Sequence, residues 1–265
     1  MRGRSALLGL VVLACLPVHG RAQTPAAARL EGMWSDPPVT PDGLFCFFAC
    51  TDAGLARLNA LLDNPANDAR PFQELQGEAK RFERESLRDL LTPAARQRYP
   101  LDPADDPGFL KCEPWGLVRQ IFAPHQLEIR QRGTTLELRY GEWDGRRTIH
   151  FDGREPGPTP TAMGHSLGRW EGEALVIESS GIAANLIMLP DLQAMGEHSP
   201  QMRIVERYTR SKDGAVLHMT AMLTDPQTFR EPVVYKKIWR WAPEQHIAPY
   251  DACEPPTEFK KAVQR

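Results

Sequence analysis

The sequence has no long hydrophobic run past its first two dozen residues, no surplus of either charge, and none of several short motifs that mark a familiar chemistry. After residue 22, no stretch approaches the ~18 consecutive apolar residues of a membrane-crossing helix, so no span is expected. Lys+Arg total 32 and Asp+Glu total 34, a net charge of −2. Without a basic excess, no nucleic-acid partner is expected. Gly164-His165-Ser166-Leu167-Gly168 spells G-x-S-x-G, but within an expected hairpin strand rather than at a strand-to-helix elbow, and no Walker loop, strand-following G-x-G-x-x-G, H-E-x-x-H or C-x-x-C is present. Serine hydrolase, kinase and dinucleotide-enzyme chemistries are therefore disfavoured, and no cofactor is implied. There is no internal repeat and no low-complexity tract.

Proline is plentiful, with 24 in 265 residues, roughly twice the usual ~5%. That density disfavours a helical bundle and favours turns. With 42% apolar and 25% charged residues, the chain is globular in composition and long enough for a sizeable core.

The N-terminus has the form of a secretory signal. Met1-Arg2-Gly3-Arg4 is basic, Ala6 to Val18 is apolar, and Gly20-Arg21-Ala22 is a small-x-small cleavage site. Residues 1–22 are expected to be a signal peptide of a periplasmic or secreted protein. The rival is a lipoprotein signal at Val12-Leu13-Ala14-Cys15. Cleavage at Ala22 removes three arginines and no acid, leaving 29 basic against 34 acidic residues. Cys15 leaves as well, and Cys46, Cys50, Cys112 and Cys253 remain. An even count in an oxidising compartment suggests two disulfides with three possible connectivities. On a helix, Cys46 and Cys50 would have Cβ atoms ~5–6 Å apart, against about 3.8 Å in a disulfide. Cys112–Cys253, which would tie the start of the β region to its end, is the favoured bridge, with a metal at Cys46/Cys50 as an alternative use of that pair.

Residues 23–110 read as a helical lead-in. Leu55, Leu58, Leu61 and Leu62 lie on one stripe behind a Thr51 N-cap. Pro71 to Leu91 carries Phe72, Leu75, Phe82, Leu87 and Leu91 with alternating charges on a solvated face. Thr92-Pro93 starts a short helix. Residues 111–265 read as a β domain whose period is two, with strands near 117–122, 125–132, 134–143, 146–153, 164–170, 173–180, 202–211, 215–224 and 232–241. Hairpin meanders around one core predict an antiparallel up-and-down, lipocalin-like β-barrel. A sandwich capped by the helices is the alternative.

Tight turns let cross-strand partners be computed. Asp144-Gly145 places Glu142 opposite Arg147 and Tyr140 opposite Ile149, on an inward face. Asp213-Gly214 pairs Tyr208 with Met219 and Glu206 with Ala221, so Glu206 faces inward. An interior carboxylate needs a partner. Lys237, which shares a face with Tyr235 and Trp239, is its candidate. Glu171-Gly172 places Glu178 opposite His165, an arrangement suited to a general base or a metal ligand, and equally to a structural histidine. Glycines around His165 suggest close approach of a ligand or of backbone. The apolar stretch from Leu186 to Gly196 looks like a lid, beside which His198 would complete a site with His165.

The segment Met163-Gly164-His165-Ser166-Leu167-Gly168-Arg169-Trp170-Glu171-Gly172, continuing to Glu178, resembles the signature M-G-H-S-x-G-x-W-E-G of a family of secreted bacterial proteins. The likeness runs over roughly Cys112 to Pro255. It implies export and a shared β core, and no reaction. Glu173 and Ser179 stand where the pattern has Asp and Thr.

Three functions follow as expectations. The first is a barrel that binds a small apolar or aromatic molecule through Tyr140, Tyr208, Lys237, Trp239 and His198. The second is a cofactor-independent isomerase, lyase or hydratase using His165, Glu178, Glu142, Arg147 and Glu206. The third is a metal site at His165 and His198.

Overall fold

The computed structural model describes residues 29–99, 115–141, 145–188 and 194–248. The expected signal peptide, Glu142, Cys112, Cys253 and the central part of the expected lid lie outside the described residues.

The chain is mainly β. Nine strands close into a barrel: β1 (Gly32–Ser35), β2 (Leu127–Arg132), β3 (Thr135–Tyr140), β4 (Arg146–His150), β5 (His165–Glu171), β6 (Ala174–Ser180), β9 (Arg203–Arg210), β10 (Val216–Thr224) and β11 (Val233–Trp241). Around the ring the order is β1-β11-β10-β9-β6-β5-β4-β3-β2. A separate hairpin, β7 (Asn185–Met188) with β8 (Ala194–His198), is inserted between β6 and β9. Inward positions alternate with outward ones, as on β10, where Leu217, Met219, Ala221 and Leu223 are buried.

Three expectations are corrected. The ring is mixed, because β4 and β5 run parallel with Ile149 opposite Ser166 and His150 opposite Leu167. Strand directions can alternate around a closed ring only if the strand number is even, so nine strands require a parallel neighbour. The connection 151–164 supplies the length that a parallel pair needs, and its Pro156, Pro158 and Pro160 end the β period. The ninth strand, β1, comes from the segment expected to be helical and bridges β2 and β11. Residues 117–120, expected as strand, form a helix. Leu117, Val118 and Ile121, all fully buried, fit one helical stripe as well as a short strand.

Five α-helices are described: α1 (Pro41–Phe45), α2 (Asp52–Leu62), α3 (Phe72–Leu90), α4 (Pro93–Gln97) and α5 (Leu117–Gln120). Thr51 and Thr92 cap α2 and α4, their hydroxyls accepting from the amides of Gly54 and Ala95. On α3 the buried stripe is Leu75, Ala79, Glu83 and Leu87. Phe82 lies off that stripe and is exposed, whereas Glu83 is buried, the reverse of the expected faces. Glu83 accepts from the Thr51 amide and hydroxyl and pairs with Lys80. Phe45, Leu58, Leu61, Leu75 and Ala79 make a satellite core, and Leu87, Leu91 and Ala95 join the barrel core. Reciprocal backbone bonds between Cys50 and Lys236 attach this layer to β11.

Cys46 and Cys50 are joined in a disulfide with a Cα–Cα distance of 4.7 Å. The expected obstacle fails because α1 ends at Phe45, so the two cysteines do not share a helix.

α5 sits among the connections at one end of the barrel. The Leu117 amide donates to the Ala162 carbonyl of the β4–β5 connection. Gly145 of the β3–β4 connection lies against the Gln120 side chain, and Gly116 lies against Asn185 of β7. The residues that follow α5 lie against β11.

Candidate functional site

The inward faces of β3, β4, β5, β6 and β9 carry a connected cluster of polar residues in the lumen. Arg147 is at its centre. Its Nε donates to Ser166 Oγ (2.8 Å), Nη1 to Glu206 Oε2 (3.0 Å) and at 3.4 Å to the Tyr140 hydroxyl, and Nη2 to Glu206 Oε1 (2.7 Å) and Ser179 Oγ (2.6 Å). The Tyr208 hydroxyl donates to Glu206 Oε2 at 2.7 Å, and Ser166 and Ser179 bond each other at 3.0 Å. The Arg147–Glu206 contact is therefore a two-pronged ion pair, with side chains only 1% and 0% exposed.

Burial acts against the charge on Arg147, yet the adjacent Glu206 carboxylate holds the guanidinium protonated above its ordinary range. Burial pushes the Tyr140 hydroxyl up to about 12. Tyr208 is raised too, first by burial and then by Glu206. Every donor of Arg147 is engaged. Glu206, Tyr208, Ile177 and Ala221 have no exposed surface, and side chains so covered line no chamber that admits water. At this level the lumen is packed core. A general base must reach the proton it takes, so the cluster in this state ties strands together.

The structure brings together Arg147, Glu206, Tyr140 and Tyr208, but not in the expected pairs. Arg147 lies opposite Leu138, because the Tyr140 amide bonds the Gly145 carbonyl and the turn is longer than two residues. The faces are kept, since the shift in pairing is even. The β9–β10 register is the expected one, with Tyr208 opposite Met219 and Glu206 opposite Ala221. Lys237 does not meet Glu206. Its Nζ donates to the Ala123 carbonyl and lies 4.7 Å from the Trp239 ring centre. Burial alone drives the Lys237 amine well below its ordinary value.

His165 and Glu178 are not partners. The turn is Gly172-Glu173, with Gly172 at φ +63°, so His165 faces Ser180 and Glu178 faces Leu167. Both lie on the outer face. His165 Nε2 is 2.9 Å from the Arg154 carbonyl and its ring stacks on His150 at 5.4 Å. The exposed Glu178 pairs with Arg169. Gly168 does mark a close approach, but by side chains: a Cβ there would lie 2.6 Å from Ile149 and 2.8 Å from Phe151. His198 is buried, with Nδ1 2.9 Å from the Ser199 carbonyl and with Nε2 unpartnered among the described residues. Burial lowers its pKa. Among the described residues no group of three or more His, Cys, Asp or Glu is placed to hold a metal.

Sequence reasoning missed Ser166 and Ser179. They sit on the same strand faces as Trp170, Leu175 and Ile177, and that alternation was the available signal. A second feature had none. A groove of about 430 Å³ opens between Phe45, Phe47 and Phe48 on one side and Gln73, Gln76 and Lys80 of α3 on the other. Phe47 and Phe48 meet edge to face at 5.0 Å. Lys80 Nζ lies 4.0 Å from the Phe45 ring centre and is bound by Glu83 and the Ala49 carbonyl, so its charge is already met. The Gln76 side chain donates to the Leu44 carbonyl. At Gly77 an added Cβ would meet only Arg81, 3.9 Å away, so the missing side chain keeps the groove open.

Comparison with protein-family models and with curated proteins finds no match.

Proposed function

We propose that the chain is an exported binding protein for a small, neutral, apolar or aromatic molecule, and that the molecule sits in the groove between the Phe45–Phe48 segment and α3. The observation that carries this is the groove itself. Its volume of about 430 Å³ falls in the range of roughly 300–1,000 Å³ usual for ligand sites. It combines three phenylalanines with a few fixed polar groups. Glu83 already neutralises Lys80, so the site favours a neutral ligand, with the glutamine amides at its edge. The Cys46–Cys50 bridge holds the aromatic segment, which agrees with an oxidising compartment. The basic-then-apolar N-terminus and the resemblance through Met163 to Glu178 also support export.

The test uses N-phenyl-1-naphthylamine, a neutral aromatic dye that brightens in apolar sites. The native chain is expected to bind it at one site. Gly77→Leu fills the groove without a positive-φ penalty and improves a helical position by about 1 kcal/mol. It should therefore fold normally and lose the dye. Undiminished binding in folded Gly77→Leu removes the groove from consideration.

A further inference from the structure

A second polar outlier lies in the lumen. Lys237 projects inward from β11 opposite Met219, is 2% exposed, and has no carboxylate partner among the described residues. Lysine is almost never buried without one. The Arg147–Glu206 network does not reach it: Glu206 accepts from Arg147 and Tyr208. Its acceptor is the Ala123 carbonyl, in the short irregular stretch after α5. The same stretch is held by Trp239, whose indole donates to the His125 carbonyl at 3.3 Å, and by Phe122, whose ring lies 4.7 Å from Tyr235. The walls around the amine are thus aromatic: Trp239, with Tyr208 6.4 Å beyond it. A backbone carbonyl offers an oxygen but no countercharge, and an uncompensated buried ammonium is costly.

We propose that residues 121–125 occupy, in the ligand-free protein, a lumen site for a small aromatic or aliphatic carboxylic acid, whose carboxylate replaces the Ala123 carbonyl on Lys237. The acid brings the missing negative charge, so Lys237 takes up a proton and forms a charged hydrogen bond. Its apolar body takes the place of Phe122 beside Tyr235. Displacing the stretch breaks the Lys237 and Trp239 bonds to its two carbonyls, together with the bonds of the Ile121, Phe122 and Ala123 amides to the Leu117, Arg119 and Gln120 carbonyls, and leaves the barrel ladders intact.

The experiment titrates 1-naphthoate into the full-length chain by calorimetry and follows hydrogen exchange at residues 121–125. Lys237→Met keeps the length and apolar stem, and circular dichroism checks its fold. The native chain is expected to bind one naphthoate with faster exchange at 121–125. Folded Lys237→Met should bind at least about tenfold more weakly, and Gly77→Leu should bind like the native chain. No naphthoate binding by the native chain overturns the proposal, as does native-like binding by Lys237→Met or unchanged exchange at 121–125. Loss in Gly77→Leu with retention in Lys237→Met places the acid in the groove, overturning the lumen site while leaving the groove standing.

Discussion

Replacing Glu206 by Gln tests the lumen network most directly. The change preserves shape and removes one charge. Arg147 would then be a guanidinium with 1% exposure, its countercharge gone and an amide N–H₂ facing its own donors. Breaking a buried pair from one side costs about 3–5 kcal/mol, because a charge is left uncompensated. For a domain of this size, 1 kcal/mol moves the melting temperature by ~2–4 °C, so the midpoint should fall by roughly 6–20 °C. Urea unfolding followed by tryptophan fluorescence gives the free energy, and an unchanged m-value shows that the same surface unfolds. Arg147→Met should cost a similar amount, since it orphans Glu206. The double variant Arg147→Met/Glu206→Gln should cost clearly less than the two single losses added, because it leaves no charge behind. That non-additivity is the signature of coupling. A loss below about 1 kcal/mol for Glu206→Gln, or simple addition of the two single losses, would show that the pair does not hold the barrel as described.

Two further outcomes follow from buried groups. The Lys237 amine is depressed by burial and the unfolded chain restores its ordinary value of 10.5, so between those values the unfolded state binds the extra proton. Stability should therefore rise with pH through that window. Lys237→Met should remove this contribution and be at least as stable near neutrality, which chemical denaturation at several pH values measures; an unchanged slope refutes it. Reducing the Cys46–Cys50 bridge opens a loop with a sequence separation of only 4. The short loop limits the expected loss to about 2 kcal/mol. Denaturation with and without dithiothreitol reads this, and a loss near 5 kcal/mol would mean that the bridge does more than close a loop.

Much of the barrel was legible because its signals are local. Period-two alternation located the eight strands from β2 to β6 and β9 to β11, and Asp213-Gly214 set the β9–β10 register. The threonine caps marked where α2 and α4 begin. Where two turn placements compete, local reading slipped. Moving the turn from Glu171-Gly172 to Gly172-Glu173 shifted the partner of His165 from Glu178 to Ser180. Because that slip was even, faces survived and partners did not. The helical stripe through Leu117, Val118 and Ile121 was too short for its period to be told from a strand. The aromatic groove has no one-dimensional trace, since Phe47 and Gly77 become neighbours only when α1 and α3 pack.

The sequence by itself determined that the chain is mainly β and that Arg147, Glu206, Tyr140, Tyr208 and Lys237 point inward. Side-chain alternation and the sum rule of a tight turn depend only on adjacent residues. Tertiary structure alone decided that β1 closes the ring, that a nine-strand ring includes a parallel pair, that Arg147 rather than Lys237 neutralises Glu206, and that Lys237 meets a backbone carbonyl. Those choices join residues up to 207 positions apart, as in the pairing of Trp34 with Trp241. They follow from closure and from the cost of leaving a charge unpaired in a packed interior, which act on the assembled barrel and on no single segment.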